Sequence, residues 1–141
     1  MTTIRELQKQ CGEAAAAKGF HEDRPRPFTD VEGNVTNHGL TDWQGNKLML
    51  IVSEVAEAQD ELRKGKPADQ TYYPTINAMP GSFDPAFAIG KHKPEGVPSE
   101  LADVVIRVLD FCYTEGIDLE SIIEEKLAYN ATREYKHGKK F

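Results

Sequence analysis

Two pairs of carboxylates stand out by type and spacing: Glu54 with Glu57, and Glu100 with Asp103, three residues apart in each case. Residues three apart share a helix face, so on helices each pair aims two acids the same way. Four carboxylates converging in one groove repel, at about 4 kcal/mol for each close pair if the effective dielectric is near 20. Such groups either take up protons or gather a cation. Acids at this spacing on facing helices are a natural metal site, as in carboxylate-bridged bundles. An all-oxygen donor set, with no histidine or cysteine at ligand spacing, favours Mg2+ or Mn2+ over Zn2+. The plainer alternative is surface acids with ordinary ion pairs, such as Asp103 with Arg107 one turn on. Spacing alone leaves both open.

The elements that must position these acids are helices. Apolar periodicity predicts four, over roughly 3–18, from Thr41 or Asp42 as N-cap to Lys64, from Pro98 or Ser99 to just before Gly116, and from Asp118 to about Tyr135. Gly65 and Pro67 supply a C-terminal stop for the second, and Asp118 is a good N-cap for the fourth. On a wheel of about 100° per residue, Glu54, Glu57 and Glu61 fall within about 60° of one another. They edge an apolar arc of Leu48, Ile51, Val52, Val55, Ala58 and Leu62, whereas Asp60 points elsewhere as a solvated charge. The third helix is apolar over about 220° of its circumference, leaving a stripe of Glu100, Asp103, Arg107 and Asp110. A helix so apolar is expected to be enclosed by others, with its stripe lining an internal groove.

The fourth helix repeats the anomaly with opposite sign. Leu119, Ile122 and Ile123 continue at helical spacing into Lys126, Asn130 and Arg133, with His137 beyond. Arg forks onto phosphate oxygens and Lys meets them as a point charge, while Asn suits a sugar hydroxyl or a base edge. The alternative is a solvated helix end whose cations favour the C-terminal dipole. His21, His38 and His92 fall in loops without ligand spacing and read as surface histidines.

Two long Pro- and Gly-rich stretches, 20–41 and 65–97, separate the helices. Loops of this length are often functional; a packed covering is the competing reading. Trp43, Tyr72, Tyr73 and Phe83 are stacking candidates for a base, each set against an ordinary packed aromatic. Lys47, two turns before Glu54 on the same side, could help neutralise the acids, and the backbone N–H groups around Gly96 could meet a phosphate.

At 141 residues, 39% hydrophobic and 28% charged, the chain reads as one soluble domain spanning 1–141. Its net charge of -6 speaks against a nucleic-acid polymer or an anionic membrane as partner. The alanine-rich first twenty residues lack the apolar core of a secretory signal, and no run reaches membrane-spanning length. Cys11 and Cys112, far apart and without metal-ligand spacing, are expected as reduced thiols in a cytoplasmic protein.

Glu54-x-x-Glu57, Glu100-x-x-Asp103 and the tail EKLAYNATREYKHGKKF, in that order, resemble the MazG-type all-α nucleoside triphosphate pyrophosphohydrolases. The resemblance covers residues 46–64 and 94–141. The 42 residues at 58–99 between the acidic motifs exceed the family's usual spacing, an excess that the aromatic, Pro-rich insertion accounts for. The resemblance implies an all-α fold like a four-helix bundle, assembled as a homodimer or homotetramer. It implies hydrolysis of nucleoside triphosphates between the α- and β-phosphates, giving monophosphate and pyrophosphate. Glu54, Glu57, Glu100 and Asp103 would hold one or more Mg2+ ions, with Glu54 or Glu57 as the base for an attacking water. Lys126, Asn130 and Arg133 would grip the phosphate tail and sugar, with His137 and Lys139 as further candidates. Against this stands a non-catalytic helical module that binds nucleotide or only dimerises. A di-iron bundle is disfavoured, because no histidine follows Glu54, Glu57 or Glu100 at i+3.

Overall fold

The computed structural model describes residues 1–75 and 90–135. Four α-helices carry the described fold: α1 (Ile4–Ala17), α2 (Leu40–Arg63), α3 (Val97–Glu115) and α4 (Leu119–Ala131). A short antiparallel hairpin, which apolar alternation did not announce, pairs β1 (Phe28–Thr29) with β2 (Val35–Thr36). Asp30 builds its turn: one carboxylate oxygen accepts from the backbone N–H groups of Glu32 and Asn34. Two residues per strand give no period to read. The chain divides into two compact units, residues 1–22 with 109–141 and residues 23–108, so α3 contributes to both.

In the first unit, Thr3 and Glu6 form a reciprocal capping box at the start of α1. Arg5 pairs with Asp118 at 3.0 Å and Glu120 at 2.6 Å, tying α1 to the N-terminus of α4. Asp118 caps α4 as expected, accepting from the Ser121 N–H. The helix stops at Ala131, short of Tyr135, where Thr132 turns its hydroxyl back onto the Tyr129 carbonyl. Gly12, buried on α1, lies directly against Tyr113, and a Cβ there would overlap the Tyr113 side chain. His21 is no ordinary surface histidine: it is half-buried, its Nε2 lying 2.7 Å from Asp110 Oδ1 and 3.1 Å from the Thr114 hydroxyl. Cys11 and Cys112 are free thiols, and burial raises the pKa of each.

In the second unit, α2 begins earlier than Thr41. Gly39 stands at its N-cap with φ +76°, and no side chain closes the cap. The left-handed backbone that glycine allows lets its carbonyl accept from Trp43 N at 2.9 Å. The C-terminal stop at Gly65 is as expected: its N–H returns to the Leu62 carbonyl and that of Lys66 to Glu61. Ser99 is not the N-cap of α3. The carbonyl of Gly96 accepts from the N–H groups of Ser99 and Glu100, Pro98 sits in the first turn, and the Ser99 hydroxyl donates to the Pro94 carbonyl. Gly96 has φ +106°, and a Cβ would strike the Gln70 carbonyl oxygen, so only glycine fits.

The burial of α2 departs from the apolar wheel. Its buried residues are Glu54, Ala58 and Glu61, at i, i+4 and i+7, while Leu48, Val52, Val55 and Leu62 are exposed. Nor do the described residues enclose α3, since Leu101, Val105 and Ile106 are 50%, 53% and 46% exposed. Periodicity locates an apolar arc but does not say whether the same chain covers it. Among the described residues, no helix is long and apolar enough to cross a membrane.

Candidate metal centre

Glu54 reaches the site from the middle of α2, and Glu100 and Asp103 from the first two turns of α3. Three contacts fix where α3 begins. Tyr72 and Glu95 exchange backbone hydrogen bonds of 3.1 and 2.8 Å, bringing the segment after α2 against the residues before α3. Gly96 closes on Gln70. The Tyr72 hydroxyl donates to Glu61 Oε2 at 2.8 Å, and Lys64 holds the other Glu61 oxygen at 2.6 Å. Glu61, only 3% exposed, is therefore a structural acid. Those bonds, Lys64's first, hold its carboxyl below the usual range.

Glu54, Glu100 and Asp103 each offer a carboxylate oxygen within 4.8 Å of the others. Glu54 and Glu100 are 6% and 5% exposed, and Asp103 is half-buried. Burial, then the charges of Glu57 and Asp103, raise the pKa of Glu100. Burial and the Glu54 charge raise that of Asp103, with Arg107 and Lys93 acting in the opposite direction. Glu100 and Asp103, which resist ionisation there, form with the buried Glu54 a donor set that a hard divalent cation would relieve. The residues therefore fit a site for such an ion, held by Glu54, Glu100 and Asp103.

Glu57 does not join this group. It is exposed on α2, and its charge acts on Glu100. Arg107 does not spend its hydrogen bond on Asp103: its Nε donates across to Glu54 Oε1 at 2.6 Å. Lys93 lies 2.8 Å from Glu95 and within the field of Glu100 and Asp103. The stripe Glu100, Asp103, Arg107 was the available signal for Arg107, since one helix face carried both signs of charge. Lys93 had no periodic signal, lying in a loop.

Lys126 and Asn130 are exposed on α4, and Arg133 is exposed beyond its end. Trp43 donates Nε1–H to Asp23 at 3.1 Å and has Lys47 Nζ 4.9 Å and Arg24 5.8 Å from its ring centroid. It is a cation-faced indole, and Lys47 is engaged there. Phe83, His137 and Lys139 lie outside the described residues. Compared with protein-family models, curated proteins and solved structures, the chain matches none.

Proposed function

We propose that this protein is a divalent-cation-dependent hydrolase of nucleoside triphosphates, cutting between the α- and β-phosphates. The observation that carries the reading is the trio Glu54, Glu100 and Asp103, three carboxylates from two helices within 4.8 Å. Its hard oxygen donors suit Mg2+ or Mn2+. The bond that is cut, and membership of the MazG-type family, rest on the motif order. When bound, such an ion supplies positive charge to phosphate oxygens.

The chain's own residues would then work as follows. Glu54, Glu100 and Asp103 would hold the ion, which would supply positive charge to the phosphates. Glu57, outside the trio and open to solvent, takes the proton from the attacking water. The water oxygen bonds to the α-phosphorus, the bond from that phosphorus to the bridging oxygen breaks, and pyrophosphate leaves with the electron pair. By the motif resemblance alone, Lys126, Asn130 and Arg133 would be the donors to the phosphate tail and sugar. The exposed seam Leu48, Val52, Val55 and Leu62 has the four- and three-residue steps of a helix-packing stripe. It supports a homodimer or homotetramer, because apolar surface of this kind needs a partner. The free thiols Cys11 and Cys112 are in keeping with a cytoplasmic setting.

One preparation tests the reading in two ways. Incubated with Mg2+ and a panel of ribo-, deoxyribo- and modified nucleoside triphosphates, it should release monophosphate and pyrophosphate, and it should sediment as a dimer or larger. Diphosphate with inorganic phosphate would move the cut to the other bond. No product from any triphosphate would favour the competing reading of a non-catalytic nucleotide-binding or dimerisation module. A monomer at micromolar concentration would remove the oligomer.

A further inference from the structure

Arg107 is the cation closest to the trio for which the structure gives a contact. It stands one turn beyond Asp103 on α3 and bonds through Nε to Glu54 on α2 at 2.6 Å. Its charge also acts on Asp103, so two of the three acids share it. The Glu54 side chain is 8% exposed and that of Arg107 is 41% exposed, so the pair has an inner and an outer end. Among the described residues, the Arg107 side chain makes no other hydrogen bond or ion pair. A guanidinium carries five N–H donors in a rigid fork, and Nε–H is the one bonded to Glu54.

Such a residue is ill-suited to a site whose only task is to hold a divalent cation, because like charges oppose one another. It suits a site that must hold a cation and an anion together. We propose that Arg107 positions Glu54 through Nε and, through its Nη groups, binds an oxyanion of the phosphate chain brought in with the cation. The proposal rests on the metal-dependent reading above and names a residue which that reading does not require.

It makes two affinities move in opposite directions, which a purely structural ion pair would not do. Losing the positive charge should tighten cation binding, because the charge opposing the ion acts directly on two ligands. The loss of orientation at one ligand acts the other way and offsets part of this gain. Binding of a phosphate chain should weaken.

The test is calorimetry on the full chain with Mn2+ alone, then with inorganic pyrophosphate at saturating Mn2+. Arg107→Ala should bind Mn2+ at least about threefold more tightly and pyrophosphate at least about tenfold more weakly. Arg107→Lys keeps the charge and loses the fork. It should bind Mn2+ as wild type does and pyrophosphate with intermediate affinity, and it serves if the alanine variant fails to fold. Lys9→Ala, which removes an exposed positive charge on α1, should change neither. Both affinities falling together, or pyrophosphate binding unchanged in both Arg107 variants, would overturn the role of Arg107 and leave the metal centre standing. Wild-type protein that binds no Mn2+ would overturn both.

Discussion

Glu100→Gln is expected to give a protein that is inactive and, in the presence of a chelator, more stable than wild type. Glu100 is 5% exposed and sits in the field of Glu57, Asp103, Glu95 and Glu54, all of which push its carboxyl towards the protonated form. A neutral amide of the same shape removes those repulsions. At an effective dielectric near 20, one such repulsion is worth several kcal/mol before solvent screening, so a net gain of about 1 kcal/mol is a modest expectation. For a chain of this size that corresponds to a rise of about 3 °C or more in Tm. Turnover should fall by more than about 100-fold, since even outer partners of metal ligands are worth roughly tenfold to a hundredfold.

The pH dependence has a definite sign. In the folded protein Glu100 holds its proton to higher pH than the usual 4.5, and Asp103 to higher pH than 3.8. Between the usual value and the raised one, the native state carries more protons than the unfolded chain, so stability falls as pH rises. Below the usual value, the two states are equally protonated at that position. The advantage of Glu100→Gln over wild type should therefore be small near pH 4 and grow towards neutrality. Thermal unfolding of both proteins across that range, with a chelator present, measures it. A variant less stable than wild type at neutral pH would mean that Glu100 is a satisfied structural acid, like Glu61.

Glu57→Gln should separate from Glu100→Gln by its effect on cation binding. Glu57 lies one turn from Glu54 but is exposed and outside the trio, so its carboxylate is open for proton transfer. General base groups contribute about 10²- to 10⁴-fold, and kcat should fall by that much while Mn2+ affinity stays within about threefold of wild type. An equal loss of Mn2+ affinity in both variants would make Glu57 a ligand and return the base to another residue. Unchanged kcat would remove it from the reaction.

Spacing made much of this legible. The i, i+3 rule put Glu100 and Asp103 on one face, because a helix fixes the direction of side chains one turn apart; it paired Glu54 with Glu57, and only Glu54 joins them. Asp118, Gly65 and Pro98 marked helix ends for local reasons that hold in any fold. What spacing could not weigh was competition across elements. Arg107 lies one turn from Asp103, yet its bond goes to Glu54 on another helix. Gly96 outranks Ser99 at the start of α3 because close approach of the Gln70 carbonyl admits no side chain there. Glu61 shares the wheel sector of Glu54 but is held by Tyr72, eleven residues on in an irregular segment. The exposed leucine and valine seam of α2 is the clearest case, since a wheel reports amphipathicity and cannot tell whether an arc faces its own chain or another.

A Mn2+ titration followed by electron paramagnetic resonance tests the trio most directly, because it reads ion capture without requiring a substrate. Wild-type protein should bind at least one Mn2+ per chain, and the combined variant Glu54→Gln, Glu100→Gln, Asp103→Asn should lose that site while remaining helical by circular dichroism. Wild type that leaves Mn2+ free at millimolar concentration, or a folded triple variant that binds it equally well, would contradict the assignment of those three carboxylates.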